Sequence, residues 1–253
     1  KLLASHSHSW PTALQQALID ARNIPDEALD TLSTLDLQTA KVFAEACSEL
    51  LKGTDFQSKD ITAIGNHGQT IRHRPDIKDP FSLQIGNAKK LTSLTGINVI
   101  SDFRTADIQA GGQGAPLVPA FHQAVFYNKK VNRVVVNIGG ISNITILDKN
   151  KAQAVIGFDC GPGNTLMDAW VSQHKQQRYD KDGALASSGK TDVKLLARLL
   201  MDNYFQLAPP KSTGFEYFNL AWLNNYIDSE MAIADVQSTL CNLTATSIIR
   251  AIN

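Results

Sequence analysis

Apolar residues recur along this chain in two rhythms, one near 3.6 residues and one near 2. Leu14, Ala17, Leu18 and Ala21 share a helical face behind Pro11, which suits a first helical turn. A longer helical region is predicted over about 25–51. Phe43, Ala46, Cys47, Leu50 and Leu51 repeat there at i, i+3, i+4, i+7 and i+8, and Gly53 supplies a stop. Residues 61–65, 81–85 and 97–101 read as short strands, with a helix over 88–95 closed by Gly96. A helix is predicted over 119–127. Val134, Val135, Val136 and Ile138 form a continuous apolar run, the mark of a strand buried on both faces. Gly139 to Asn143 turn the chain, and 144–147 returns as the second arm of a hairpin. A third strand over 155–158 runs into Gly161-Pro162-Gly163-Asn164 and then a helix carrying Leu166, Ala169 and Trp170. Helices over 193–204 and 236–253 complete the pattern, the last with Val236, Leu240, Leu243 and Ile248 on one face.

Strands and helices alternate throughout, which predicts an α/β fold. The change of character near 115–130 places a second lobe there, giving domains of 1–118 and 119–253. The last helix meets no Gly or Pro stop and the first residue is Lys1, so the expectation is a piece of a longer chain.

Composition narrows the function classes. Lys plus Arg and Asp plus Glu are both 24, a formal charge of zero, which argues against a dedicated nucleic-acid binder. No apolar run reaches the length of a membrane span. Cys47, Cys160 and Cys241 are odd in number and far apart, so no disulfide framework is implied and a cytoplasmic location is expected.

Four segments hold candidate chemistry. Asn66-His67-Gly68-Gln69-Thr70 sets four polar side chains just after a strand, where they suit a polyhydroxylated ligand, and His73 and Arg74 follow. Asp102, Arg104 and Asp107 form an acid–Arg–acid loop; Arg clamps a carboxylate or phosphate with paired bonds, and carboxylates hold sugar hydroxyls or act as bases. Gly139-Gly140 lies between two apolar strands, where glycines let backbone N–H groups approach a phosphate, or simply close a hairpin. Asp159-Cys160-Gly161-Pro162-Gly163-Asn164 joins an acid, glycines and a helix N-terminus, a place that favours an anion. Asn164 also suits a helix cap. No metal-ligand spacing is present, and Cys160 reads as a small buried residue. Phe215, Tyr217, Phe218, Trp222 and Tyr226 read as packing rather than base stacking.

Taken in order, these pieces resemble the anhydro-N-acetylmuramic acid kinase family. The matching stretches are Gly65-Asn66-His67-Gly68-Gln69-Thr70; Gln84-Ile85-Gly86-Asn87; Asp102-Phe103-Arg104 with Asp107; the run from Gly111 to His122; Asn137-Ile138-Gly139-Gly140; Asp159 to Asn164 with Met167-Asp168-Ala169-Trp170; and Pro210-Lys211-Ser212-Thr213-Gly214 with Phe218-Asn219. The resemblance implies the sugar kinase, actin and Hsp70 fold group: two lobes on ribonuclease-H-like mixed sheets, with ATP and sugar in the cleft between them. It implies that water opens the 1,6-anhydro bridge of anhydro-N-acetylmuramic acid and that O6 takes the γ-phosphoryl group of ATP, with Mg²⁺. The product would be N-acetylmuramic acid 6-phosphate, in peptidoglycan recycling. Asp159 matches the family's catalytic base. Gly139, Gly140, Gly161, Gly163 and Asn164 would bind nucleotide phosphates. His67, Gln69, Thr70, Asp102, Arg104 and Asp107 would hold the sugar and its lactyl carboxylate. A homodimer is also implied, with no nucleic-acid or membrane partner. The family's opening phosphate loop and its later adenosine segment have no match here, so the fold is expected truncated at both ends, with weak ATP binding by these residues alone. Two other readings remain: a glycosidase working without ATP through Asp102 and Asp159, and a non-catalytic sugar-binding lobe.

Overall fold

The computed structural model describes residues 1–75, 77–150, 155–228 and 230–252; Asn253, the end of the predicted last helix, lies outside them. The chain is mixed α/β, built from helices and small sheets, and divides into two compact units, 1–114 and 115–253. The division falls after Gly114, where the sequence suggested 118/119.

The first unit opens with α1 (Thr12–Ala21), a 3₁₀ stretch (Asp26–Leu32) and α2 (Ser33–Lys52). Then come β1 (Ile64–Gly65), β2 (Gln69–Arg74), β3 (Phe81–Ile85), α3 (Ala88–Thr95), β4 (Val99–Ile100) and α4 (Thr105–Gln109). Strands β2 and β3 pair antiparallel, and β1 and β4 pair parallel over two residues. Leu14, Leu18 and Ala21 pack with Leu32, Val42, Ile71 and Ile85, so the predicted face of α1 forms one wall of the core. Each such leucine, valine or isoleucine, fully buried, is worth about 1.5–3 kcal/mol before entropy is counted. Helix α3 starts where the Asn87 side chain accepts the Lys90 N–H at 2.9 Å, and it stops at Gly96 with φ 70°.

Two expectations fail in this unit. The helix predicted over about 25–51 is a 3₁₀ stretch over Asp26–Leu32 and α-helical from Ser33 to Lys52. Gln69 and Thr70 do not belong to a loop; they begin strand β2, opposite Ile85 and Gln84. The segment has a single apolar residue, Ile71, so its alternation is hidden and pairing with β3 decides its shape.

The second unit runs α5 (Pro119–Phe126), β5 (Arg133–Ile138), β6 (Ile141–Leu147), β7 (Ile156–Pro162) and α6 (Thr165–Lys175). It continues through α7 (Ala184–Ser188), α8 (Val193–Leu199), α9 (Asn203–Gln206), α10 (Leu220–Asn224) and α11 (Ile233–Ile252). Its sheet is antiparallel in the order β5-β6-β7. Val236, Leu240 and Leu243 of α11 lock into a core with Leu166, Trp170, Leu195, Leu199 and Phe218, while Ile248 packs on Ile144, Phe158 and Cys160.

Three expectations are corrected in this unit. Strand β5 is not buried on both faces: Val136 and Ile138, which share one face, are 40% and 58% exposed, so among the described residues no layer covers that face there. The helix predicted over 193–204 breaks after Leu199 and restarts at Asn203, where the Asp202 side chain accepts the Tyr204 N–H at 2.9 Å and caps a new turn. Asp159, Gly161 and Pro162 lie inside β7 rather than after it. Among the described residues no helix is long and apolar enough to cross a membrane.

Candidate active site

In the first unit, the ends of β1, β3 and β4 surround a cleft of about 370 Å³ whose walls include Asp36, Asn66, His67, Gln84, Asn87 and Asp102. Its floor is cross-tied. Asp36 on α2 accepts the Gly86 N–H at 2.7 Å and the Asn87 side-chain amide at 2.8 Å. Asn66 donates to the Gly86 carbonyl at 2.7 Å and accepts the Gly68 N–H at 3.0 Å. Gly86 has φ 125°, and a Cβ there would meet the Phe43 ring at 2.5 Å, so both conformation and space demand glycine.

His67 is fixed from both sides. Its Nδ1 lies 2.9 Å from the Gly68 carbonyl, and its Nε2 accepts from Arg104 Nε and Nη2 at 3.1 and 3.0 Å. A ring nitrogen facing a carbonyl is placed to donate and one facing a guanidinium to accept, so these partners suit the tautomer with its proton on Nδ1. Arg104 Nη1 also lies 3.4 Å from His73 Nδ1. The acid–Arg–acid loop is therefore organised around imidazoles. Asp102, exposed and left-handed at φ 55°, accepts the Thr105 N–H at 3.2 Å. Asp107 accepts the Gly114 N–H at 2.7 Å with its carboxylate and the Gly112 N–H at 2.8 Å with its carbonyl, which ties the 105–114 turn together. Thr70 accepts from Gln84 at 3.4 Å, and Gln69 stands in the β2–β3 ladder. Of the six expected sugar residues, His67 and Asp102 line the cleft and Arg104 touches it through His67.

In the second unit, Asp159 is 7% exposed on β7. Ser142 pairs with Gly161 and Asn143 with Asp159, so Cys160 is the extra residue of a β-bulge. A bulge re-aims the side chains beside it, and the alternation of the sequence gives no hint of it. On the far edge of β7 runs the 211–213 segment: the Asp159 N–H donates to the Lys211 carbonyl at 3.0 Å, and the Thr213 N–H donates to Asp159 Oδ2 at 3.0 Å. The Tyr204 hydroxyl donates to the Asp159 carbonyl at 2.8 Å. Lys211 donates to the Tyr204 carbonyl at 3.0 Å and lies 4.7 Å over its ring.

Burial sets the electrostatics here. The Cys160 thiol is pushed up to about 12 by desolvation and then by the Asp159 charge, so it stays protonated and is no nucleophile. Desolvation, with the same charge adding to it, raises the Tyr204 phenol, so that ring also stays protonated. Lys211 is lowered by burial, with Cys160 opposing.

The glycine turns meet in front of α6. Gly163 and Thr165 donate their N–H groups to the Gly140 carbonyl at 2.8 and 3.1 Å, and Asn164 donates to the Gly139 carbonyl at 2.8 Å. A Cβ on Gly163 would fall 2.1 Å from the Gly139 oxygen, and one on Gly161 would fall 2.7 Å from Phe205. Gly161 and Gly163 thus permit close packing, while Gly140 and Asn164 stay exposed. Asn164 takes the cap position of α6 without a side-chain capping bond. Of the aromatic residues singled out from the sequence, Tyr217 and Trp222 pack on Phe218 and Tyr226 packs on Trp222, with Asp202 accepting from Tyr217, Trp222 and Tyr226.

Sequence spacing did not single out Asp36 or Tyr204, and it gave no role to Thr213. Asp36 stands among ordinary polar helix positions, and the other two reach Asp159 from 45 and 54 residues away.

A family model described as anhydro-N-acetylmuramic acid kinase matches residues 1–253. Among curated relatives, an anhydro-N-acetylmuramic acid kinase of Shewanella sp. (strain ANA-3) is 49% identical over 254 residues, which is 100% of this chain and 69% of the relative. The Shewanella oneidensis protein of that name is 50% identical over 250 residues, 98% of this chain and 68% of its own. One from Coxiella burnetii (strain Dugway 5J108-111) is 45% identical over 249 residues, 98% of this chain and 67% of its own. A mixed α/β chain with these relatives is a kinase. It belongs to the anhydro-N-acetylmuramic acid kinase family.

Proposed function

We propose that the protein opens the 1,6-anhydro bridge of anhydro-N-acetylmuramic acid with water and phosphorylates the freed O6 from ATP, giving N-acetylmuramic acid 6-phosphate. Asp159 is the base: it takes a proton from water as the water oxygen bonds to the anomeric carbon and the C1–O6 bond breaks. O6 then receives the γ-phosphoryl group and ADP leaves. The observation that carries this reading is the Asp159 carboxylate, buried in β7 and held by the Thr213 N–H, in a chain whose whole length matches the kinase family. A fixed, mostly dry carboxylate suits proton abstraction at a set angle.

In the first unit, His67 and Asp102 supply cleft-lining groups for sugar hydroxyls, and Arg104 supplies a cation for the lactyl carboxylate. Gln69 and Thr70 support them from β2, and Asp107 shapes the loop that carries Arg104. In the second unit, the exposed Gly140 backbone and the Asn164 amide are the donors proposed for nucleotide phosphates, with Gly139 shaping the turn. Gly161 and Gly163 serve by having no side chain, since the Gly163 and Asn164 N–H groups are already given to carbonyls. Among the described residues no group of three His, Cys, Asp or Glu could hold a metal. Mg²⁺ on a nucleotide needs only one or two carboxylates beside phosphate and water, and it supplies charge neutralisation when bound.

The finer fold, two ribonuclease-H-like lobes, is part of the proposal, as are a cytoplasmic role in peptidoglycan recycling and a homodimer; these rest on the resemblance. The kinase names of the relatives do not favour an ATP-independent glycosidase. The test is to incubate the full-length protein with anhydro-N-acetylmuramic acid, with and without ATP. Phosphorylated sugar only with ATP supports the proposal. Free N-acetylmuramic acid formed without ATP, or binding without turnover, contradicts it.

A further inference from the structure

We infer that Thr213 is a positioning residue for Asp159, and that its hydroxyl is a further donor to that carboxylate beside its own N–H. The inference rests on the reading of Asp159 as the base. The 211–213 segment is bound to Asp159 at two points: the Lys211 carbonyl accepts the Asp159 N–H at 3.0 Å, and the Thr213 N–H donates to Oδ2 at 3.0 Å. Tyr204 joins them, donating to the Asp159 carbonyl at 2.8 Å while its own carbonyl accepts from Lys211 at 3.0 Å. The acid and this segment therefore form one hydrogen-bonded body.

Within that body the Thr213 Oγ1 is buried and has no hydrogen-bond partner. A buried hydroxyl without a partner is a net cost, and valine would fill the same space without it. The hydroxyl becomes favourable only when it is paired, and the residue that carries it already holds the carboxylate through its N–H. When sugar and water enter, a turn about χ1 of Thr213 adds an O–H donor to the N–H donor on Asp159. Two donors from one residue fix the plane of the carboxylate, so its remaining lone pairs face the water at a set angle.

Thr213→Val tests this in the full-length protein, because it keeps the N–H and the shape and removes only the hydroxyl. The expected result is a kcat lower by roughly 10- to 100-fold, with KM for sugar and for ATP within about twofold. Thr213→Ser is expected to restore kcat to within about threefold of the parent. A melting curve beside each assay separates loss of the hydroxyl from loss of the fold, and Thr213→Ala stands in if the valine variant does not fold. Parental kcat in Thr213→Val, or a serine variant as slow as the valine variant, overturns the inference. Asp159→Asn distinguishes the two failures. If it is inactive while Thr213→Val turns over normally, only the inference about Thr213 falls. If it turns over, the base reading falls first.

Discussion

Replacing Gly163 by alanine probes the joint that sets the glycine turns in front of α6. The added Cβ would lie 2.1 Å from the Gly139 oxygen, against about 3.4 Å for an ordinary contact, so the turn must retreat by about 1.3 Å. The Gly139 and Gly140 carbonyls accept three N–H groups at 2.8, 2.8 and 3.1 Å, and a shift of that size breaks at least two of these bonds. At about 1 kcal/mol per bond, with about 1–3 kcal/mol for overpacking, the loss is roughly 3–5 kcal/mol. For a protein of this size that lowers the melting temperature by roughly 10 °C. The assay is a thermal melt followed by circular dichroism, with Gly139→Ala as the control. There the new Cβ would meet only the Ile141 oxygen, at 3.7 Å, and the melt should stay within about 2 °C of the parent. A Gly163→Ala protein that melts within about 2 °C of the parent would refute the reasoning.

Further outcomes follow from the same geometry. Burial would raise the Asp202 carboxyl, but donors from Trp222, the Tyr204 backbone, Tyr217 and Tyr226 outweigh it and hold the group below its ordinary value. Its stabilisation is therefore present above the unfolded value, near 4, and is lost as pH falls through the lowered folded value. Asp202→Asn should cost roughly 2 kcal/mol at pH 7, discounted for partial exposure, and the gap to the parent should shrink in melts at pH 3. In native labelling at neutral pH, a thiol reagent should modify exposed Cys241 and spare Cys160 until the chain is unfolded; prompt labelling of Cys160 would contradict its burial. Asp36→Ala should lower stability by about 2 kcal/mol, because the Gly86 N–H and the Asn87 amide both lose their acceptor; an unchanged denaturation midpoint would count against the cross-tied floor.

Apolar residues at helical spacing made several helices legible, though not the break between Leu199 and Asn203. Helices α1, α3 and α11 fall where Leu14 to Ala21, the Gly96 stop and Val236 to Ile248 place them. The β5-β6 hairpin was equally plain, because Gly139 and Gly140 interrupt two apolar runs. Strand β2 was not, since Ile71 is its only apolar residue and its partner lies across a turn. The burial of β5 was misjudged because an apolar run does not reveal whether a layer packs over both faces of the strand. At the site, Asp159 was visible as an acid near glycines, but its setting was not. The bulge at Cys160 and the bonds from Tyr204, Lys211 and Thr213 are long-range products of folding. Arg104 was visible too, yet its imidazole partners were hidden, since His67 lies 37 residues before it.

Turnover by full-length Asp159→Asn tests the central claim most directly. Asparagine keeps the size of the side chain and an oxygen to accept the Thr213 N–H, but it cannot take a proton from water. The account predicts a protein that melts close to the parent and still binds ATP, yet forms no N-acetylmuramic acid 6-phosphate from the anhydro sugar. Phosphorylated product at a rate near that of the parent would contradict it.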